Sequence, residues 1–420
     1  MSPNSPYKSR VADAELRRRL ESSGAILIEG PKACGKTETA RQVAATEVLL
    51  DVDERARAAV ALDPSLILPG DTPRLIDEWQ VEPRIWNHVR RAVDERRQPG
   101  QFILAGSAVP ADDVTRHSGA GRISRLRMRP MSLFESGLSD GSVSLRELMA
   151  GGKASSSNSI ELAEMAEAVT RGGWPALQEM TIEAAMDSSA AYLEEVSRTD
   201  INRVDGGRRD PERVRRLLRS LARNVATHVA IATLAADSAD DGDAPLKQQT
   251  VSDYLSALER LFVIEDQPPW GPHLRSRSIL RKSPKRHFVD PSLAAAALGA
   301  DAAALLRDLN LFGFLFESLV VRDLRVYSQP LRGEVRQFRD NKGLEIDAVV
   351  ETDAGWAAFE VKLGGPAAID EAAASLLKFA REVDPERSGE SSALGVIVAG
   401  GYGYTREDGV QVIPITALGP

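Results

Sequence analysis

Three short runs of this chain carry residue types at spacings that suit phosphate chemistry. Gly30-Pro31-Lys32-Ala33-Cys34-Gly35-Lys36-Thr37 follows an apolar run and opens a helical pattern. Glycines in such a loop let successive backbone N–H groups face phosphate oxygens, and the helix N-terminus adds its positive end. Lys36 is then placed to reach β- and γ-phosphates, and Thr37 to ligate Mg²⁺. Forty residues on, Leu75-Ile76-Asp77-Glu78 ends a strand with two acids, Asp77 for the metal shell and Glu78 to orient and polarise a water. Phe102-Ile103-Leu104-Ala105-Gly106-Ser107 then sets a hydroxyl at a strand end, where it would sense a γ-phosphate. ATP with Mg²⁺ is the ligand pair these runs imply.

Two basic stretches and one acidic constellation remain. Arg116, Arg122, Arg125, Arg127 and Arg129 follow one another with no acid between. Arg122, in a Gly-rich loop, is the candidate for a finger acting on a nucleotide in cis or on a neighbouring copy's in trans; a solvated basic strand is the alternative. Arg275, Arg277, Arg281, Lys282, Lys285 and Arg286 offer six positive charges to DNA or RNA phosphates, against a plain solvated loop. Toward the C-terminus, Glu317 falls on a helix, Asp347 on a strand and Glu360 and Lys362 on the next strand. Strand alternation sends Glu360 and Lys362 to one face, with Asp347 across the hairpin, and puts Glu345 on the side of Asp347.

The elements that must position these residues read as α/β. Strands at Ala25–Glu29, Val48–Asp51, Arg74–Ile76 and Phe102–Ala105 alternate with helices near Val11–Glu21, Glu38–Ala45 and Val81–Arg97, the pattern of a parallel sheet. The polar stretch Gly151–Ser159 then serves as a loop or linker. A helical middle follows, in which helices Pro211–Val225, Ile231–Ala235 and Val251–Leu261 and a strand Phe262–Glu265 suggest a winged-helix arrangement. The outward residues of the third helix, Asp253, Ser256, Glu259 and Arg260, suit a structural role better than DNA reading. Helix Leu311–Tyr327, strands Glu334–Arg339, Leu344–Glu351 and Trp356–Leu363, helix Ala368–Glu382 and strand Leu394–Ala399 complete the chain. Three domains are therefore expected, over residues 1–158, 159–309 and 310–420.

At 420 residues with 61 acidic against 53 basic side chains, net charge −8, the chain is too large for one small module. Its balance also argues against a surface that coats DNA or anionic lipid throughout. The lone cysteine, Cys34, leaves no internal disulfide and no cysteine-based zinc site, and reads as a filler of its loop. No apolar stretch is long enough to span a membrane, so a cytoplasmic protein without membrane contact is expected.

The succession GPKACGKT, LIDEWQ, FILAGS, HSGAGRI and RPMSLFE resembles a family of bacterial and archaeal AAA-type P-loop ATPases whose C-terminal half is a domain of unknown function. The resemblance covers nearly the whole chain. It implies an AAA+ ATPase domain with Lys36 and Thr37 as Walker A, Asp77 and Glu78 as Walker B and Ser107 as sensor; Ala105 departs from the Thr common in relatives. The C-terminal element order, with Glu317, Asp347, Glu360 and Lys362, is similar to the PD-(D/E)xK nuclease core. That likeness implies one or two Mg²⁺ on Asp347 and Glu360, assisted by Glu317, with Lys362 steadying hydroxide or phosphate. Two functions are carried forward: an ATP-driven switch coupled to a nucleic-acid-acting module, or one in which an inactive module serves a protein partner.

Overall fold

A computed structural model describes residues 7–107, 118–204, 209–239, 245–271 and 283–420. The chain separates into two compact units. One is drawn from Met1–Pro130, Thr199–Arg209 and Ser256–Val263, the other from Met131–Arg198, Asp210–Leu255 and Ile264–Pro420.

In the first unit, α1 (Ala12–Ser22), β1 (Ala25–Glu29), α2 (Lys36–Arg41), β2 (Thr46–Leu49), α3 (Glu54–Leu62), β3 (Arg74–Asp77), α4 (Ile85–Arg96), β4 (Phe102–Gly106) and β5 (Ile123–Arg127) follow in order. The strands form one sheet, β2-β3-β4-β1-β5, and every pairing is parallel. The apolar runs of β1 and β4 are continuous because helices cover both faces of such a sheet. Leu27, Ile76, Trp79, Trp86, Val89, Phe102 and Leu104 are buried together in its core. Inserting β4 between β1 and β3 fixes the site: Glu29 lies level with Gly106, and Asp77 level with Ala105, so three strand ends open at one edge. Three expected elements shift by two residues or more, the first being the helix expected over Glu38–Ala45, which forms as Lys36–Arg41. β2 begins and ends two residues before Val48–Asp51, and the helix expected from Val81 begins at Ile85. Pro83 drives Glu82 out of helical geometry, to φ −127° and ψ 72°.

The second unit begins with α5 (Leu133–Ser136), β6 (Val143–Ser144), α6 (Leu145–Met149), α7 (Leu162–Arg171) and α8 (Ile182–Glu195). A π-helical turn, Val196–Asp200, leads to α9 (Ile201–Arg203), which belongs to the first unit. There follow α10 (Pro211–Arg223), α11 (Ile231–Asp237), α12 (Gln248–Arg260, which from Ser256 belongs to the first unit), α13 (Pro291–Leu298), α14 (Ala302–Arg307) and α15 (Leu309–Ser328). The strand expected at Phe262–Glu265 does not form. Phe262 has φ 58°, which no extended strand tolerates, and only isolated antiparallel bridges, Thr227 to Arg286, Ile264 to Phe288 and Gln267 to Lys285, stand in its place.

After α15 come β7 (Glu334–Arg339), β8 (Glu345–Thr352), β9 (Gly355–Lys362), α16 (Pro366–Glu382), α17 (Pro385–Ser388), β10 (Ser391–Val398), β11 (Tyr404–Thr405), β12 (Gln411–Pro414) and β13 (Leu418–Gly419). The sheet runs β11-β12-β10-β9-β8-β7. Strands β7 to β9 meander antiparallel, whereas β9, β10 and β12 are parallel. Trp270, Trp356 and Phe379 pack against one another in its core, tilted or edge to face, at centroid distances of 5.3 to 5.6 Å.

Residues from Met131 onward pack in the second unit, together with residues near Pro420. β6 pairs in parallel with β13, Ser139 Oγ donates to Leu418 O at 2.7 Å, and the Leu133 N–H donates to Asp323 Oδ2 at 3.0 Å. Beside that contact the buried Arg322 guanidinium joins Asp290 at 2.7 Å and Asp323 at 2.6 Å.

Candidate functional site

The loop between β1 and α2 closes on itself through Lys36. Its ammonium is buried and donates to the carbonyls of Gly30 at 3.0 Å and Pro31 at 2.7 Å. Gly35 sits at φ 103°, a region that Cβ-bearing residues avoid, and this turn aims the following N–H groups along α2. The Thr37 hydroxyl donates to Asp77 Oδ2 at 2.9 Å, so the first turn of α2 and the end of β3 are joined. Burial pushes the carboxyls of both Asp77 and Glu78 up, and Lys36 pulls both back. A hydroxyl and a carboxylate oxygen sharing one bond, on a buried acid short of positive charge, suit a hard cation such as Mg²⁺.

Glu78 stands at φ 50°, and its carboxylate accepts a close contact from the Gln80 amide. The same amide lies 3.5 Å from Ser107 Oγ, which is buried at the end of β4. A Cβ on Gly106 would meet Gln80 Oε1 at 2.4 Å, so glycine before Ser107 makes room for this arrangement. Lys36, Thr37, Asp77, Glu78 and Ser107 thus gather at one edge of the sheet, as their spacing suggested.

Arg122 does not join them. The β1–β5 register pairs Ala25 with Ile123, and the Ala25 N–H donates to Arg122 O, which puts Arg122 at the opposite sheet edge from the loop. Its side chain pairs instead with Asp94 on α4 at 2.9 Å, both groups well exposed. In this structure Arg122 is thus not brought together with Lys36, Thr37, Asp77, Glu78 and Ser107. Arg116 lies outside the described residues. Lys32 makes a contact that sequence did not suggest, an ion pair with Asp200 at 2.6 Å. Cys34 is buried, as a loop filler should be, and its carbonyl accepts from Arg10 at 2.7 Å.

The C-terminal acids also converge, around a cation that sequence reading assigned elsewhere. Lys285 Nζ lies 2.8 Å from Glu317 Oε1, 2.9 Å from Glu345 Oε1 and 3.3 Å from Asp347 Oδ1, with only 3% of its side chain exposed. The second oxygen of Asp347 accepts from the Val361 N–H at 2.9 Å, and Lys362 pairs with Glu360 at 3.0 Å. Burial, reinforced by Asp347, pushes Glu360 up to about 9 and Glu317 up to about 8. Burial opposes ionisation of Asp347 as well, yet Lys285 and Lys362 hold it below the usual carboxylate range. A cavity of about 720 Å³ opens on these side chains. Among the described residues no group of three or more His, Cys, Asp or Glu is disposed to hold a metal ion. Beside Asp347 and Glu360, the pair on which a metal was expected, the structure sets the positive charges of Lys285 and Lys362.

The phosphate-contacting run is corrected in part by the same residue. Lys285 is interior, and Arg286 is mostly buried against Asp266 at 2.9 Å, so neither offers a free charge to a nucleic acid; Arg275, Arg277, Arg281 and Lys282 lie outside the described residues. A signal was present in the run Lys285-Arg286-His287-Phe288. On an extended segment Lys285 and His287 share a face, and both point inward.

Comparison with known proteins assigns three segments. Residues 22–136 match the AAA domain family, residues 162–304 a domain of unknown function (DUF8612) and residues 312–418 another domain of unknown function (DUF4143). Uncharacterized proteins of Mycobacterium bovis and Mycobacterium tuberculosis are each 26% identical over 412 residues, 96% of this chain and 83% of theirs. A solved Walker-type ATPase of Pyrococcus abyssi aligns with a TM-score of 0.41 and 14% identity, over 70% of this chain and 98% of that one. No helix among the described residues is long and apolar enough to cross a membrane. The likeness to AAA-type P-loop ATPases rests on residues 22–136, the segment that carries the loop, Asp77, Glu78 and Ser107.

Proposed function

We propose that this chain is an ATP-binding and ATP-hydrolysing switch, with its nucleotide site in the first unit and a nuclease-like module at its C-terminus. The bond from Thr37 to Asp77, beside the loop that Lys36 closes, carries the reading. Exchanging the Gly30 and Pro31 carbonyls for β- and γ-phosphates lets Lys36 neutralise the transferred group, and Thr37 with Asp77 holds the metal shell. Mg²⁺, if held by Thr37 and Asp77, would supply charge neutralisation at the phosphates. Glu78 accepts the proton of the attacking water, and Ser107 marks the γ-phosphate end of the site. Titration calorimetry with MgATP tests this: saturable binding is expected, and Lys36→Ala should abolish it. Unchanged affinity in that variant would overturn the assignment.

The helix, three-stranded meander, helix and parallel strand of the C-terminal sheet support the PD-(D/E)xK-like reading of the module. The ion pairs of Lys285 favour the branch in which this module is a platform for a protein partner. Incubation with DNA or RNA and Mn²⁺ separates the branches. Inertness of the wild-type protein supports the platform, and cleavage lost in Glu360→Ala supports the nuclease.

A further inference from the structure

The carboxylates of the module present three oxygens to one point, and that point holds an ammonium group. Glu317 Oε1, Glu345 Oε1 and Asp347 Oδ1 all lie within 3.3 Å of Lys285 Nζ. A hard divalent cation takes such oxygens at roughly 2.0–2.6 Å, so it would need the same three atoms drawn inward onto the same centre. The two cations cannot share it, since both are positive and the centre is one.

Lys285 is held there by more than its charge. Its N–H donates to Gln267 O at 3.1 Å, and its carbonyl accepts from the Gln267 N–H at 2.8 Å. The Gln267 side-chain amide then donates to the carbonyls of Asp347 at 2.9 Å and Arg336 at 3.1 Å, which ties this segment to β7 and β8. Next along the chain, Arg286 pairs with Asp266, and the buried His287 lies 3.1 Å from Gln267 Oε1. Lys285 is therefore fixed on a pinned backbone rather than swung in from a free loop. Access is not what excludes an ion, because the cavity of about 720 Å³ opens on Lys285, Glu317, Glu345 and Asp347 alike.

We propose that the Lys285 ammonium is the resident cation of the Glu317–Glu345–Asp347 cluster and excludes divalent metal from it, so that the C-terminal module is held together without one. The inference rests on the nuclease-like reading of that module and states which cation its acids take. Removing the ammonium takes the shared cation from three clustered carboxyls and leaves Lys362 as the lysine beside Asp347, a state that favours capture of another cation.

Calorimetric titration with Mn²⁺ alone, in the nucleotide-free Lys36→Ala background, tests it. No saturable binding is expected with Lys285 intact at millimolar Mn²⁺. Lys285→Ala should gain a site at least about tenfold tighter than any residual binding before the change, and adding Asp347→Asn should remove it. Lys285→Gln, which is one atom shorter but uncharged and still a donor, serves the same purpose if the alanine variant does not fold. Saturable binding with Lys285 intact, lost in Asp347→Asn, would overturn the inference and leave the nuclease-like reading standing. Absence of binding in a folded Lys285 variant would overturn the inference as well, whereas the nuclease-like reading is decided separately by cleavage of DNA or RNA with Mn²⁺.

Discussion

Thr37 and Asp77 meet at 2.9 Å although β4 separates the strands that lead to them. The contact exists because both strands end at one sheet edge, where α2 turns back over β3. It gives Asp77 a role distinct from that of Lys36. Asp77→Asn should retain part of the ATP affinity while losing its Mg²⁺ dependence, with hydrolysis falling at least about 10²-fold, the range for a group acting on the transition state. Binding measured with and without Mg²⁺, beside phosphate release, checks this.

Glu78→Gln should bind ATP normally and hydrolyse it roughly 10²-fold more slowly, as expected for loss of a positioned proton acceptor. Gln80→Leu removes the amide that holds Glu78 near Ser107, so it should lower turnover more than affinity. Single-turnover hydrolysis separates the two effects; a variant that changes affinity alone would move Gln80 out of this role.

Arg122→Ala should leave the turnover of dilute protein within about twofold of wild type, since the substitution removes an exposed pair with Asp94 and a local bond to the Ala120 carbonyl. If Arg122 serves a neighbouring copy instead, specific activity rises with protein concentration and the variant loses that rise. A concentration series of both proteins checks this.

Arg322 compensates two carboxylates, Asp290 and Asp323, that are fully buried. Arg322→Met should destabilise the second unit by about 3–5 kcal/mol, the usual cost of leaving buried charge unpaired. Urea unfolding followed by Trp270 and Trp356 fluorescence, set against wild type, reads the shift.

Stability should also fall as pH rises. Glu360, facing Asp347 and Lys362, has its folded value raised to about 9 from an ordinary 4.5. The folded state therefore holds a proton that the unfolded state has released, and the resulting stabilisation is lost between those two values as pH increases. Glu317, facing Lys285, Asp347 and Glu345, adds the same sign up to about 8. Thermal unfolding from pH 6 to pH 9 should show the decline, and Glu360→Gln should flatten it.

Local pattern carried the first unit well. The apolar runs Ala25–Glu29 and Phe102–Ala105 and the loop between β1 and α2 are short-range signals, and each formed where its residues indicated. The C-terminal meander was equally legible, because alternation alone sets the faces of β8 and β9. What escaped depends on partners far along the chain. Lys285 read as one charge among six in a basic run until its carboxylates, 32 and 62 positions away, came into view. Arg122 read as a finger because a loop's composition says nothing of which sheet edge it occupies. The second unit's boundary at Met131 was hidden for the same reason, since its evidence is the pairing of β6 with the final strand.

That pairing also sets a timetable for the newly made chain. Ser144 Oγ bonds Pro420 O across 276 positions, so β6 leaves the ribosome long before its partner exists. At roughly 5–20 residues per second the delay is about 15–55 s, during which Val143–Ser144 presents an unpaired backbone edge. The first unit can begin to assemble from early residues, whereas the second can close only once Leu418–Gly419 has been made and can reach β6.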